Sequence, residues 1–219
     1  MGIIRLYEIC PEAEKAGTQN AVVTGVTDNT AEVKQGSIFV CVKGARFDGH
    51  SAAAEMLSKG AVMIVTDHDI KCGKQLVTDN TRLCLARMLN SFYGKPSEKL
   101  GLLAVTGTNG KTTTAHFVKH ILTTLGKKCG CVGTAGNDTC SGELKPSQHG
   151  TPTVPRATVL YSWLGEMVSN GADYCVMEAS SQALDQYRIG DESIAVAGFT
   201  NLTRDHLDYH GTMENYFQA

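Results

Sequence analysis

Chemistry-bearing residues are packed most tightly in Leu102-Leu103-Ala104-Val105-Thr106-Gly107-Thr108-Asn109-Gly110-Lys111-Thr112-Thr113-Thr114. Strand-type apolar residues end in a small, polar, glycine-containing turn. A lysine and three threonines follow, then a helix-compatible run over 115–125. This is the layout of a phosphate-binding loop. Gly107 and Gly110 permit a tight turn and bring backbone N–H groups, including those of Thr108, Asn109 and Thr113, towards phosphate oxygens. The helix N-terminus adds partial positive charge at the same place. Lys111 can reach the β- and γ-phosphates, and the Thr112 hydroxyl can ligand Mg²⁺. The strict pattern asks for glycine where this chain has Val105.

Two further polar clusters follow apolar strand-type runs. Met177-Glu178-Ala179-Ser180-Ser181 puts a carboxylate at a strand's carboxyl end, where it can bind Mg²⁺ directly or through water. Thr200-Asn201-Leu202-Thr203-Arg204-Asp205-His206-Leu207-Asp208-Tyr209-His210 gathers an Asn, two Asp and two His. His206 and His210 are four apart, but the glutamate of a zinc-protease motif is missing, so one His on a phosphate-bound metal fits better than a zinc pair. His116 and His120 have the same spacing without acidic partners and read as ordinary helix residues. No Gly-x-Gly-x-x-Gly, Gly-x-Ser-x-Gly or Cys/His dyad occurs.

The elements that must position these groups fall in two parts. Residues 1–95 read as a small α/β unit. It has strands near 21–23, 37–42, 61–65 and 76–77, a helix capped by Ser51 and ended by Gly60, and a helix to Phe92 capped by Asp79 or Asn80. Residues 93–97 read as a linker. From 96 to 219 the pattern is strand, loop, helix (112–125), strand (129–132), long polar loop (134–155), helix (157–169) and strands (174–177, 194–199). Alternating strands and helices argue for a doubly wound, mostly parallel sheet. Thr212 reads as the cap of a last helix.

Bulk properties narrow the class. The chain has 219 residues, 42% of them hydrophobic, and a net charge of −2 with both signs interspersed. That charge excludes an obvious nucleic-acid or acidic-membrane partner. The apolar runs, such as 61–65 and 100–105, are too short to span a bilayer, and the N-terminus lacks a signal-peptide pattern. Eight cysteines without a C-x-x-C pair read as reduced, mostly buried thiols of a cytoplasmic protein.

Taken together, four segments resemble the Mur ligase family of ATP-dependent amide-bond-forming enzymes, most closely its UDP-N-acetylmuramoyl-tripeptide synthetase type. They are 106–114; 177–184 with Gln186 and Arg188; 199–216; and Gly36-Ser37-Ile38-Phe39-Val40 with Gly44 and Phe47-Asp48-Gly49-His50. The resemblance implies an N-terminal UDP-sugar-binding domain (1–95) and the first part of a central ATP-binding domain (96–219). It also implies a ligase that adds an amino acid to a UDP-N-acetylmuramoyl-dipeptide through an acyl phosphate, in peptidoglycan synthesis, with ATP and Mg²⁺. By position, Lys111 would hold the β,γ-phosphates, Thr112 and Glu178 one Mg²⁺, and His206 a second. Asn201 and Asp205 would shape the nucleotide side. Ser180, Gln186, Arg188 and Thr151 match substrate-contacting positions. The family's Asp-Ser-Arg, whose Ser contacts the uracil side, is Asp28-Asn29-Thr30 here.

Other departures are Gly150 for the first Thr of a Thr-Thr-Pro motif and Gln182 for a His. The family's third, amino-acid-binding domain has no counterpart in these residues. The register would put the family's carbamoylated lysine immediately after Ala219, so an N-terminal fragment unable to turn over alone is expected. Two other readings stay open: a non-catalytic nucleotide- or UDP-sugar-binding module, and another ligase of the family, such as a folylpolyglutamate type.

Overall fold

Ser37-Ile38-Phe39-Val40 is buried at every position, as a strand covered on both faces must be. It anchors the first of two units into which a computed structural model divides the chain, Met1–Gly94 and Lys95–Ala219. The structure describes residues 3–15, 17–45, 47–145, 153–191 and 194–219. In the first unit, β1 (Ile4–Arg5) pairs antiparallel with β2 (Val22–Val23), and short helices α1 (Leu6–Ile9) and α2 (Glu12–Lys15) lie between them in sequence. Then β3 (Gly25–Thr27), β4 (Ser37–Val40), β5 (Met63–Thr66) and β6 (Gln75–Val77) form a parallel sheet in that order.

A 3₁₀ turn (Gly49–Ala52) leads into α3 (Ala53–Ser58), and α4 (Thr81–Phe92) closes the unit. Phe39, Cys41 and Ile64 pack with Ala52, Ala53 and Met56 in one buried cluster. Asn80 caps α4 by accepting from Leu83 N at 3.0 Å, a contact worth about 1 kcal/mol. The expected Ser51 cap is corrected. Asp48 caps the turn by accepting from His50 N, and the Ser51 hydroxyl donates to the Asp48 carbonyl. Gly60 does end α3, at φ +103°.

The second unit opens with α5 (Pro96–Lys99), where a structureless linker was expected. Next come β7 (Gly101–Thr106), α6 (Lys111–Thr124), β8 (Cys129–Val132), β9 (Asn137–Asp138) and β10 (Leu144–Lys145). They are followed by α7 (Ala157–Ser169), β11 (Tyr174–Glu178), α8 (Ser181–Asp185), β12 (Val196–Phe199), α9 (Leu207–His210) and α10 (Met213–Gln218). The strand order is β10-β9-β8-β11-β7-β12. The four strands β8, β11, β7 and β12 are parallel; β9 and β10 add an antiparallel edge inside the expected long loop. Val105, Cys129 and Val176 pack against Ala115 of α6. Gly130 points the other way, where a Cβ would meet the Met167 side chain of α7. Helices therefore cover both faces of this sheet, as a doubly wound fold requires. Thr212 caps α10 by accepting from Asn215 N at 3.1 Å.

All eight cysteines are free thiols. Burial is the main reason their thiols are held up, to about 12 at Cys10, Cys41 and Cys129 and about 11 at Cys84 and Cys131. They stay protonated near neutral pH and are poor nucleophiles.

Candidate nucleotide-binding site

In the second unit, β7 and β11 run side by side in register, with Glu178 opposite Val105. Their carboxyl ends therefore deliver the Gly107 loop and the Glu178 carboxylate to the same edge of the sheet. Open parallel sheets bind ligands at this edge.

Close backbone packing shapes the loop. Gly107 has φ +125°, and a Cβ there would meet the Asn201 backbone O and N at 2.8 and 2.9 Å. The segment after β12 is thus pressed against the loop. Thr108 N donates to Asn201 O at 2.8 Å. Asn109 N donates to Asn201 Oδ1 at 3.1 Å, and Asn201 Nδ2 donates back to Asn109 O at 3.1 Å. Thr203 N donates to Thr108 Oγ1 at 2.9 Å, and the Tyr216 hydroxyl lies 3.1 Å from the same oxygen. Gly110, at φ +86°, stands before the first turn of α6, and Thr113 is exposed within that turn.

Lys111 folds back over the loop and donates to the carbonyls of Gly107 (2.6 Å) and Thr108 (2.9 Å). An ammonium has three donors, so one remains. Thr112 Oγ1 donates to Glu178 Oε2 at 2.9 Å. Glu178 is only 1% exposed. Its other oxygen accepts from Thr134 N at 2.8 Å, and Thr134 Oγ1 lies 3.2 Å from Oε2. Gly133 leaves the room this needs: a Cβ there would meet Glu178 Cδ at 2.8 Å. Among the described residues no cationic side chain pairs with this buried carboxylate. A buried anion held only by neutral donors, beside a hydroxyl and a lysine, fits a hard oxygen-seeking cation such as Mg²⁺.

The other expected residues are placed as follows. His206, at φ +51°, sets its ring edge-on to Tyr216, 5.9 Å between centroids. Asp205 Oδ1 accepts from the His206 backbone N at 2.8 Å. No hydrogen bond joins His206 or Asp205 to Thr112 or Glu178. Ser180 caps α8, its hydroxyl accepting from Ala183 N at 3.3 Å. Gln186 Oε1 accepts two donations from Arg188, whose Nη1 donates to Val154 O at 2.8 Å. In the first unit, Asn29 Oδ1 accepts from Ala31 N, its amide donates to Glu32, and Thr30 is half-buried beside it. Thr151 lies outside the described residues, as do Gly150 and Pro152.

Sequence reasoning missed the parts played by Thr134 and Tyr216 and named His210 without finding its packing role. Thr134 follows the carboxyl end of β8, and its strand-end position beside β11 was the available signal. Tyr216, from the last helix, reaches Thr108. His210 is buried, stacks on Tyr216 at 5.1 Å, and its Nε2 lies 2.8 Å from Ser181 Oγ. That is a packing contact rather than half of a metal pair.

Fold and site together define an α/β protein of the phosphate-binding-loop class. Known proteins narrow this further. The Mur ligase middle domain matches residues 105–219, and the Mur ligase family catalytic domain matches residues 22–105. The chain belongs to the Mur ligase family. It is 40% identical over 204 residues to UDP-N-acetylmuramoyl-L-alanyl-D-glutamate–2,6-diaminopimelate ligase 2 of Clostridium acetobutylicum, covering 91% of this chain and 42% of that one. It is 42% identical over 206 residues to the corresponding ligase of Bacillus cereus, covering 92% and 40%. A solved structure of a ligase with the same printed name superposes with a TM-score of 0.81 at 28% identity, over 99% of this chain and 44% of that one. The chain thus spans about two fifths of the relatives it matches. No helix among the described residues is long and apolar enough to cross a membrane.

Proposed function

We propose that the chain supplies the UDP-sugar-binding and nucleotide-binding parts of a cytoplasmic ATP- and Mg²⁺-dependent ligase of peptidoglycan synthesis, and so of cell-shape maintenance and division. The ligase joins an amino acid to UDP-N-acetylmuramoyl-L-alanyl-D-glutamate. The amino acid is 2,6-diaminopimelate, which the relatives' names carry. The observation that carries the reading is the Lys111, Thr112 and Glu178 cluster at the carboxyl edge of β7 and β11.

In this reading a substrate carboxylate oxygen attacks the γ-phosphorus of ATP. The bond to the β-phosphate oxygen breaks, and ADP leaves. The amine nitrogen then attacks the acyl carbon, loses a proton, and inorganic phosphate departs. Such chemistry asks for positioning and charge neutralisation. The N–H groups of Thr108 and Asn109 are taken up by Asn201, so the free backbone N–H groups of the first turn of α6, Thr113 included, and the Lys111 ammonium cradle the phosphates. The Thr112 hydroxyl and Glu178 would hold one Mg²⁺, which would supply charge neutralisation for the phosphates, and His206 would serve a second. Asn201 fixes the loop that faces the nucleotide, with Asp205 beyond it. Ser180, Gln186, Arg188 and Thr151 serve the UDP-linked peptide, with Asn29 and Thr30 at its uracil end.

Calorimetric titration tests the substrate half. The chain should bind UDP-N-acetylmuramoyl-L-alanyl-D-glutamate saturably, and at least about tenfold (about 1.4 kcal/mol) more tightly than UDP alone. Equal affinity for the two, or no binding of either, would remove the peptide substrate from the proposal.

A further inference from the structure

His50 lies in the first unit, in the 3₁₀ turn after β4, and its side chain is nine-tenths buried. On one side its Nδ1 is 2.5 Å from Asp48 Oδ1, and the same oxygen accepts from the His50 backbone N at 3.1 Å. A carboxylate partner fixes the ring proton on Nδ1 and leaves a lone pair on Nε2. That Nε2 is buried and makes no hydrogen bond among the described residues. Yet Asp67 Oδ1 stands only 3.2 Å away. With the proton on Nδ1, two acceptors face each other at 3.2 Å, which is unfavourable unless something positive stands between them.

A third donor is already there. His68 Nδ1 is 2.5 Å from the same Asp67 oxygen, and the two imidazoles lie 4.8 Å apart between centroids. One ligand atom from each of His50, Asp67 and His68 falls within 4.8 Å of the others. His50 comes from the 3₁₀ turn in the connection that leaves β4, and Asp67 and His68 directly follow β5, the adjacent parallel strand.

We propose that His50, Asp67 and His68 bind a divalent transition-metal cation of the Zn²⁺ class, with Asp48 orienting His50 behind it. Two imidazoles and one carboxylate suit Zn²⁺ and its neighbours, whereas Mg²⁺ and Ca²⁺ ask for oxygen ligands. Three protein ligands leave a fourth position for water. The side chains of Asp67 (46% exposed) and His68 (62% exposed) leave the site open to entry. A bound ion would tie the 3₁₀ turn to the end of β5 and raise the stability of the chain by mass action. None of these residues belongs to the nucleotide cluster of the second unit.

The test is titration of the 219-residue chain with Zn²⁺ against a chromophoric chelator, paired with Co²⁺ absorption spectra. A single Zn²⁺ per chain is expected, with a higher thermal midpoint when it is bound. Affinity should fall at least about thirtyfold (about 2 kcal/mol) in His68→Ala and in His50→Gln. The Co²⁺ spectrum should lack a thiolate charge-transfer band, which separates this site from the cysteines. Undiminished affinity in His68→Ala, a thiolate band, or no Zn²⁺ binding would each overturn the assignment. Should His50→Gln not fold, His68→Ala decides alone, because its side chain is exposed.

Discussion

Glu178→Gln should weaken Mg²⁺-dependent binding of ATP to this chain by at least about 100-fold, about 2.7 kcal/mol, while ATP affinity without Mg²⁺ changes little. Gln keeps the size and one carbonyl oxygen, so Thr134 N can still donate into the site. What it removes is the negative charge. That charge is buried, is held only by Thr112 and Thr134, and has no cationic partner among the described residues. In such surroundings a unit charge acts far more strongly than at the surface. A dication beside it therefore loses its main attraction, whereas the phosphates keep Lys111 and the free N–H groups at the start of α6. Glu178→Ala would confound the readout by also removing the acceptor of the Thr112 and Thr134 donations. Calorimetry of ATP with and without Mg²⁺ makes the comparison. Equal Mg²⁺ dependence in the two proteins would take the metal away from Glu178.

The second large effect is expected at Gly107. Gly107→Ala combines a positive φ with a Cβ directed at the Asn201 backbone, which cannot yield as a side-chain tip could. Strain and overlap together should cost about 3 kcal/mol, or roughly 10 °C in the unfolding midpoint of the second unit. Gly110→Ala provides the contrast. Its φ is also positive, but the nearest atom to a Cβ is Thr200 Cγ2 at 3.9 Å. Only the left-handed strain applies there, about 1 kcal/mol. Thermal scans of the two variants check the order. If Gly110→Ala proved the worse, the close packing of Asn201 on the loop would not be what fixes its shape.

How far the sequence showed this architecture depends on the range of each interaction. α7 was legible over 157–169 and β8 over 129–132 because side-chain periodicity and strand-type runs are local signals. The loop glycines were legible for the same reason: their backbone needs are written in neighbouring residues. Glu178 was legible only as a strand end. Its partner Thr134 is 44 residues away, Thr112 is 66 away, and Tyr216 reaches Thr108 across 108. No local pattern encodes such pairings.

Short elements also escaped. β3 has three residues and takes its stability from parallel pairing with β4 rather than from its own sequence. The β9–β10 ribbon was hidden in a stretch that reads as polar loop, where two-residue strands leave no period to detect. Ser51 looked like a cap because it precedes an apolar run, but Asp48 reaches the first free N–H group and starts the helix as a 3₁₀ turn.

The nucleotide site is the centre of this account, and Lys111 probes it most directly. Equilibrium binding of ATP with Mg²⁺ should be measured for the chain and for Lys111→Met, with circular dichroism to verify that both fold alike. Saturable binding to the chain, weakened at least about 30-fold (about 2 kcal/mol) in a variant with an unchanged spectrum, is the expected result. Equal binding by the two, or none by either, would contradict the placement of a nucleotide at this loop.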